Sequence, residues 1–186
     1  MSFLEMMVSL AIFTVIMSAI FTVIYTGRLY WRVGSSQVDV QQQARQAITY
    51  MSKELRQTRT GTGKVGGVTV PILKYQGSAF PADDAARTSI KFRIPQDTNG
   101  DGNVLDTYGS ITEWSDEITY SLSGTQLIRS TNTSTKVLAN SISSLQFTRS
   151  STSPSLIRIR VVAIKTIPGT GETVNVTLSN WVKVEN

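Results

Sequence analysis

The chain has 186 residues, with 18 Lys and Arg against 13 Asp and Glu, and it contains neither Cys nor His. The absence of Cys excludes disulfide bonds and thiol chemistry, and the absence of His removes the commonest general base and zinc ligand. With no Ser-His-Asp, paired-carboxylate or thiol constellation to assemble, we predict that the protein is not an enzyme. The formal net charge of +5 is too small to indicate a class of partner.

Residues 2–26 form an apolar run in which Glu5 is the only charged side chain. A membrane-spanning helix needs about 20 apolar residues, so this run is long enough to cross a bilayer. Arg28, Tyr30 and Trp31 follow the run, and such residues anchor a helix at the membrane interface.

Glu5 is the anomaly of this segment, because a carboxylate in a spanning helix is costly unless it is paired. No Lys or Arg precedes Arg28, so the amino group of Met1 is the nearest cation. The amino group of a neighbouring copy is better placed to pair with Glu5 than that of its own helix. The alternative is a carboxylate in the first helical turn that interacts with the helix dipole and headgroup water. The residues alone leave both interpretations open.

The first twelve residues, MSFLEMMVSLAI, resemble the amino terminus of mature type IV pilins and type II secretion pseudopilins. Those proteins begin with a methylated hydrophobic residue, followed by Ser or Thr and then by Glu at the fifth position, where Ser2 and Glu5 stand. Residue 1 is Met where Phe is usual, and the basic leader ending in Gly is not present. We expect Met1 to be the processed terminus, the alternative being an initiator Met. Thr22 replaces a common Pro, so we expect no kink there.

The resemblance implies a structural subunit of a type IV pilus-like filament or a type II secretion pseudopilus, without separating the two or a major from a minor subunit. Its partners would be other pilin subunits, prepilin peptidase and the assembly platform. Before assembly it would cross the inner membrane once with its head in the periplasm, and the filament would be periplasmic or extracellular. Two alternatives remain open: a DNA- or surface-binding minor pilin at a filament tip, and an anchored periplasmic domain that never polymerises.

Residues 28–58 continue the helical pattern, since they contain no Pro and many helix formers. Apolar residues recur at steps of three and four, a spacing that predicts a core-facing stripe: Val40, Ala44, Ala47, Ile48, Met51 and Leu55. Gly27 and residues 34–36 weaken the pattern and would permit a bend. A continuous helix over residues 1–58 would be about 87 Å long at 1.5 Å per residue, which suits a protruding stalk.

Residues 59–186 predict a β-rich head, which gives an α+β fold with divisions at 1–27, 28–58 and 59–186. Residues 60–67 are rich in Gly but follow a helix instead of preceding one, so we expect a flexible connector and no phosphate loop. The predicted strands alternate apolar and polar residues between turn signals: 68–75, 89–94, 117–123, 126–131, 138–149, 156–166 and 173–184. Residues 118–132, 136–149 and 156–164 of the head also resemble the larger minor pilins and J-type pseudopilins.

Residues 97–103, DTNGDGN, place oxygen-bearing side chains at alternate positions, as in the first half of an EF-hand-like calcium loop. The predicted ligands are Asp97, Asn99, Asp101, the carbonyl of Asn103, and Asp106.

The closing carboxylate of such a loop is missing, because its position holds Tyr108. Asp106, Glu113, Asp116 or Glu117 would have to replace it. The simpler alternative is a solvated turn that binds no metal, since Asn, Asp and Gly favour turns in any case.

Basic residues follow without any acid between residues 118 and 171. Arg129, Arg149, Arg158 and Arg160 are candidates to contact an anionic partner, either DNA or the acidic loop of another subunit. An ordinary solvated face is the simpler interpretation. No aromatic residues are interleaved with these arginines, so we consider nucleic acid an unlikely partner.

Overall fold

The structure is a computed structural model and describes residues 2–107 and 110–185. Met1 and Tyr108 therefore lie outside the described residues. One helix, α1, runs without interruption over Phe3–Leu55, which corresponds to about 80 Å at 1.5 Å per residue. Gly27 and Gly34 lie inside it, so the predicted weakening causes no break.

The described part of the chain beyond α1 forms antiparallel strands. Their bounds are β1 Thr62–Val65, β2 Val68–Pro71, β3 Leu73–Tyr75, β4 Ser78–Ala79, β5 Ala86–Arg87, β6 Ile90–Phe92, β7 Ile118–Ser123, β8 Gln126–Ser130, β9 Thr135–Ala139, β10 Ile142–Arg149, β11 Leu156–Thr166 and β12 Thr173–Lys183. They make a hairpin of β1 and β2, a sheet in the order β12-β11-β10-β5, and a sheet in the order β4-β3-β6-β7-β8-β9. The predicted α+β class is confirmed.

The core lies between the second half of α1 and the two larger sheets. Val40, Ala44, Ala47, Met51 and Leu55 have no exposed surface, which confirms the predicted stripe. Ile48, at the margin of that stripe, is only partly buried. The sheets contribute alternate residues of β11 and large side chains of the neighbouring strands: Ile157, Ile159, Val161, Ala163, Tyr120, Phe92 and Phe147.

Three local predictions are wrong. The single strand predicted over residues 68–75 is two strands, β2 and β3, which belong to different sheets. The other two fail because of a backbone conformation with positive φ. Gly66 and Gly67 have φ of 56° and 81°, the combination that a two-residue hairpin requires. They join β1 to β2 with Val65 opposite Val68, so residues 60–67 are not a flexible connector. Ser141, with φ of 60°, interrupts the single strand predicted over residues 138–149.

A partly buried polar cluster joins α1 to the six-stranded sheet. The Tyr120 hydroxyl donates to Glu54 Oε2 at 2.7 Å, and Arg129 Nε lies 3.0 Å from Glu54 Oε1. Burial, together with the hydrogen bond to the Glu54 carboxylate, raises the pKa of the Tyr120 phenol. The phenol therefore stays protonated and remains a donor to Glu54.

Two further contacts join α1 to the four-stranded sheet. Lys165 Nζ lies 2.6 Å from Asp39 Oδ2, and Asn180 Nδ2 donates to Ser52 Oγ at 3.1 Å. The second half of the helix is therefore held by polar contacts on both sides of its apolar stripe.

Candidate functional sites

The first half of α1 is an apolar surface that nothing in the described chain covers. An 18-residue window has a mean hydropathy of 2.5 and none of its residues buried, so α1 is long and apolar enough to cross a membrane. Large side chains from Phe3 to Ile24, except the half-buried Met17, expose between 45% and 76% of their surface. A contiguous apolar surface of this kind marks a region that contacts lipid or other protein.

Hydroxyl side chains interrupt this surface without breaking the helix. Ser18 Oγ donates to the Thr14 carbonyl at 2.8 Å, and Thr22 Oγ1 donates to the Ser18 carbonyl at 2.9 Å. Because these two hydroxyls are satisfied within their own helix, they leave no unpaired donor to an apolar environment.

Glu5 belongs to a capping box at the start of α1. Ser2 Oγ accepts a hydrogen bond from the Leu4 N–H at 3.2 Å, and Glu5 Oε2 accepts one from the Ser2 N–H at 2.9 Å. This contact supports the interpretation of Glu5 as a first-turn carboxylate within its own helix. Met1, the predicted partner of Glu5, lies outside the described residues, so that pairing stays a prediction.

The predicted calcium loop is held by Asp97, whose carboxylate accepts two backbone hydrogen bonds. The Gly100 N–H lies 2.6 Å from Oδ1, and the Gly102 N–H lies 2.7 Å from Oδ2. These bonds, first that from Gly100 and then that from Gly102, hold the pKa of Asp97 below its usual value. Asp97 is therefore charged at neutral pH, as a metal ligand must be.

Glu113 brings a third carboxylate to this loop. Asp97, Asp101 and Glu113 each offer an oxygen within 4.8 Å of the others. The Asn99 amide nitrogen donates to Asp101 Oδ2 at 3.0 Å and to Glu113 Oε1 at 2.6 Å. This amide thus bridges two carboxylates that would otherwise repel each other. Hard oxygen donors from several side chains are what calcium prefers, so the group fits that ion.

The other predicted ligands have different contacts. The Asn103 N–H donates to Asp101 Oδ1 at 2.7 Å, whereas Asp106 Oδ1 accepts from the Ser110 N–H at 2.8 Å in the next turn. Glu117 lies 2.9 Å from Lys74 and 3.3 Å from Lys91, outside the loop.

Sequence reasoning left four candidates for the closing carboxylate, and the structure brings Glu113 to the loop. The Gln96 N–H donates to the Glu113 carbonyl at 3.2 Å, and Pro95 forms a bridge with Trp114. These contacts fold the chain back on itself, and no periodic signal in residues 104–112 indicates them.

The four candidate arginines do not form one patch. Arg129 pairs with Glu54, and Arg149 donates to the Pro154 and Phe80 carbonyls, each at 2.6 Å. Burial lowers the pKa of Arg149. Both guanidinium groups are therefore used inside the chain.

Arg158 and Arg160 are exposed on the face of β11 that points away from the core. The Arg158 guanidinium lies 5.5 Å from the centre of the Trp181 ring, on the neighbouring strand β12. Only these two of the four are fully exposed, whereas Arg129 and Arg149 are half-buried.

Comparison with family models, with curated proteins and with solved structures finds no match to this chain.

Proposed function

We propose that this chain is a structural subunit of a type IV pilus-like filament or a type II secretion pseudopilus. Copies associate through the apolar half of α1, and the head is displayed outside. The observation that supports this proposal best is the uncovered apolar half of a helix whose other half is packed into a folded head. The resemblance of residues 1–12 to pilin amino termini points to the same function.

The length of α1 supports a filament more than a simple anchor. A bilayer needs about 20 helical residues, whereas α1 has 53, and its first buried residue is Ser36. About ten residues therefore separate the end of a membrane span from the head. Small side chains such as Ser9, Ala11, Ser18 and Ala19 allow close approach of neighbouring helices.

Glu5 sets the axial position of neighbouring subunits in this proposal. The capping box uses Glu5 Oε2, and the carboxylate of an exposed first turn can accept a further donor from another chain. The amino terminus of the next subunit, Met1, is the proposed donor. An unpaired charge at the centre of a membrane-spanning helix costs about 2.5–3.5 kcal/mol, and a similar cost in the apolar centre of a filament would favour the paired arrangement.

Glu5→Ala in the full chain, expressed in its native membrane with its assembly system, tests this role. We expect membrane insertion to be unchanged and the yield of sheared filaments to fall about tenfold or more, as the cost of an unpaired partner implies. Ser2→Ala is the matched control, because it removes the hydroxyl of the capping box but keeps the Glu5 carboxylate. It should leave the yield within about twofold.

Normal filament yield from Glu5→Ala would exclude the pairing. If Glu5→Ala and Ser2→Ala reduce the filament yield equally, the loss is due to the capping of the helix and not to pairing of Glu5 with a neighbour. If the unmodified protein is extracted only as monomers and gives no filament by electron microscopy, the chain is an anchored domain that does not polymerise.

The acidic loop is proposed to hold calcium through Asp97, Asp101 and Glu113. The close approach of their oxygens supports this proposal. A bound cation would take the position between the carboxylates that the Asn99 amide occupies and would neutralise their charge. It would also hold the long loop between β6 and β7.

Thermal unfolding of the full chain in detergent, with calcium or with a chelator, tests the loop. Calcium at about 100 times its Kd should stabilise the fold by about 2.7 kcal/mol. Glu113→Gln should abolish this gain, whereas Asp116→Asn, an exposed acid outside the group, should keep it. An unchanged Tm on chelation would exclude the metal.

A further inference from the structure

Strand β12 is a long edge of the four-stranded sheet. Its 11 residues pair with β11 over their full length, from Thr173 opposite Thr166 to Lys183 opposite Leu156. In the sheet order, β12 has a neighbour on one side only. In residues 2–107 and 110–185, no backbone hydrogen bond joins Thr173–Lys183 to any element except β11. One side of β12 therefore presents free backbone donors and acceptors.

The other edges of the two larger sheets are protected. Strands β4 and β5 have two residues each. Strand β9 has five residues, carries the exposed Lys136, and has a register shift against β8. Short length, a lysine and a bulge are the devices by which proteins prevent unwanted strand pairing. In contrast, residues 173–182 of β12 contain neither a charge nor a Pro.

A groove of about 540 Å³ lies between α1 and β12, and it is lined by Ser52, Lys53 and Arg56 from the helix and by Asn180 from the strand, among others. Arg56 also lines a second cavity together with Lys183, at the carboxyl end of β12. The edge of β12 is therefore flanked by positive side chains.

These cations are available to a partner. Lys53, Arg56 and Lys183 are exposed, and their side chains form no ion pair or hydrogen bond within the described chain. The acid that lines the second cavity and the acid that follows Lys53 in the sequence are both already paired. Glu185, in the second cavity, pairs with Arg59 at 3.3 Å, and Glu54, on α1, pairs with Arg129.

We propose that β12 is a docking edge for an extended, acidic segment of a partner protein, which adds to the four-stranded sheet as a fifth strand. Backbone hydrogen bonds supply the affinity in this mode of recognition. The partly buried Val176 and Leu178 become covered, and carboxylates of the incoming strand pair with Lys53, Arg56 and Lys183. This contact goes beyond the helix-mediated assembly proposed above and does not depend on it.

Charge decides against a second copy of β12 as the occupant. Two such strands would bring two copies of the same cationic helix surface beside one shared sheet, and like charges placed together are destabilising. An acidic strand has the complementary charge, so its binding causes no repulsion between like charges.

The test uses the full chain in detergent micelles and the capped peptide acetyl-EVTVTVEE-amide as the probe. We expect saturable binding with a Kd on the order of 10–100 μM, together with slower amide exchange at alternate residues of β12. The same peptide with alternate backbone amides N-methylated keeps its charge but loses donors along one side. It should bind at least about tenfold more weakly.

Variants on the helix test the charge complementarity. The double variant Lys53→Gln, Arg56→Gln should weaken binding about three- to tenfold at low salt, whereas Lys136→Gln on β9 should change nothing. Absence of saturable binding, equal binding of the N-methylated peptide, or protection of β9 in place of β12 would each overturn the proposal. If β12 amides become protected as the peptide-free protein is concentrated, a second copy is the occupant and the proposal is wrong.

Discussion

The two halves of α1 share one uninterrupted backbone but have opposite surroundings. In the first half, Phe3 exposes 76% of its surface and Phe21 exposes 68%. In the second half, Val40 and Met51 expose none. The hydrogen-bonded helix is the same in both, so backbone propensity does not separate them. The side chains do, because only the second half alternates an apolar stripe with a polar face.

This difference shows how one helix can serve two environments. The second half gains its stability from burial against the sheets, whereas the first half requires a covering that the chain itself does not supply. Substitutions of the same type in the two halves should therefore have very different effects on the stability of the head.

The largest difference is expected from truncation of a Met in each half. Met51→Ala should lower the free energy of unfolding of the head by about 2–5 kcal/mol, because it leaves a cavity in the core. Met7→Ala, at a side chain 57% exposed, should change it by less than about 0.5 kcal/mol. Urea unfolding in detergent, followed by tryptophan fluorescence, measures both. Equal effects would contradict the division of α1 into two halves.

The next effect concerns the polar cluster that holds the second half. Glu54→Ala should destabilise the head by about 1.5–3 kcal/mol, because it leaves Tyr120 and Arg129 without their acceptor. Glu185→Ala removes the exposed partner of Arg59 and should cost less than about 1 kcal/mol. Urea unfolding measures both variants. If Glu54→Ala lowers the free energy of unfolding by less than Glu185→Ala does, Glu54 does not stabilise the contact between α1 and the sheet.

Acid should also separate the two parts of the molecule. The pKa of Glu117 lies below its ordinary value of 4.5. Partial burial by itself would raise this pKa, but the ammonium groups of Lys74 and Lys91 lower it by more than burial raises it. A lowered pKa in the folded state stabilises the head above pH 4.5, and this stability is lost as the pH falls below that value.

The contribution of Glu117 should be about 0.5–1 kcal/mol, and Glu117→Gln should flatten this part of the pH profile. The helix signal of the first half, whose only carboxylate is Glu5, should persist in acid. Circular dichroism in detergent compares the two. An unchanged slope in the Glu117→Gln variant would assign the acid sensitivity to other groups.

A small and stabilising effect is expected at the junction of the two halves. Gly34 lies in α1 with no atom within 4 Å of an added Cβ, so Gly34→Ala should stabilise the local helix by about 0.5–1 kcal/mol. Amide exchange around residue 34 should slow about two- to fivefold. Gly63→Ala is the opposite control, because its Cβ would lie 2.7 Å from Ile72 Cδ1 and 2.8 Å from Trp114 Cζ2. Faster exchange in Gly34→Ala would show that the helix there is strained.

The sequence predicts those parts of the fold that depend on periodicity. The stripe from Val40 to Leu55 and the alternation of β11 follow from spacing alone, and both are confirmed. The split of the predicted strand at Ser141 could not be predicted in this way, because a non-glycine residue with φ of 60° is fixed by its tertiary surroundings. The Gly66-Gly67 pair, in contrast, is a hairpin signal that sequence reasoning missed.

The candidate sites divide in the same way. Asp97, Asn99 and Asp101 follow from a local pattern, and the loop they form is present. Whether Glu113 or Asp106 supplies the third carboxylate of the group depends on how the chain folds back after the loop. The spacing of residues in the sequence does not indicate that fold. Likewise, Arg129 cannot be assigned to Glu54 from the sequence, because 75 residues separate them.

The unbroken path of α1 from its apolar half into the core has a mechanical consequence. Tension applied along the helix axis would reach the head without being absorbed by a flexible hinge. The contacts from Val40 to Leu55, about 24 Å of helix, would then be loaded in shear, all of them together. A head attached in this way resists pulling far better than one attached by a loop that could be peeled away one contact at a time.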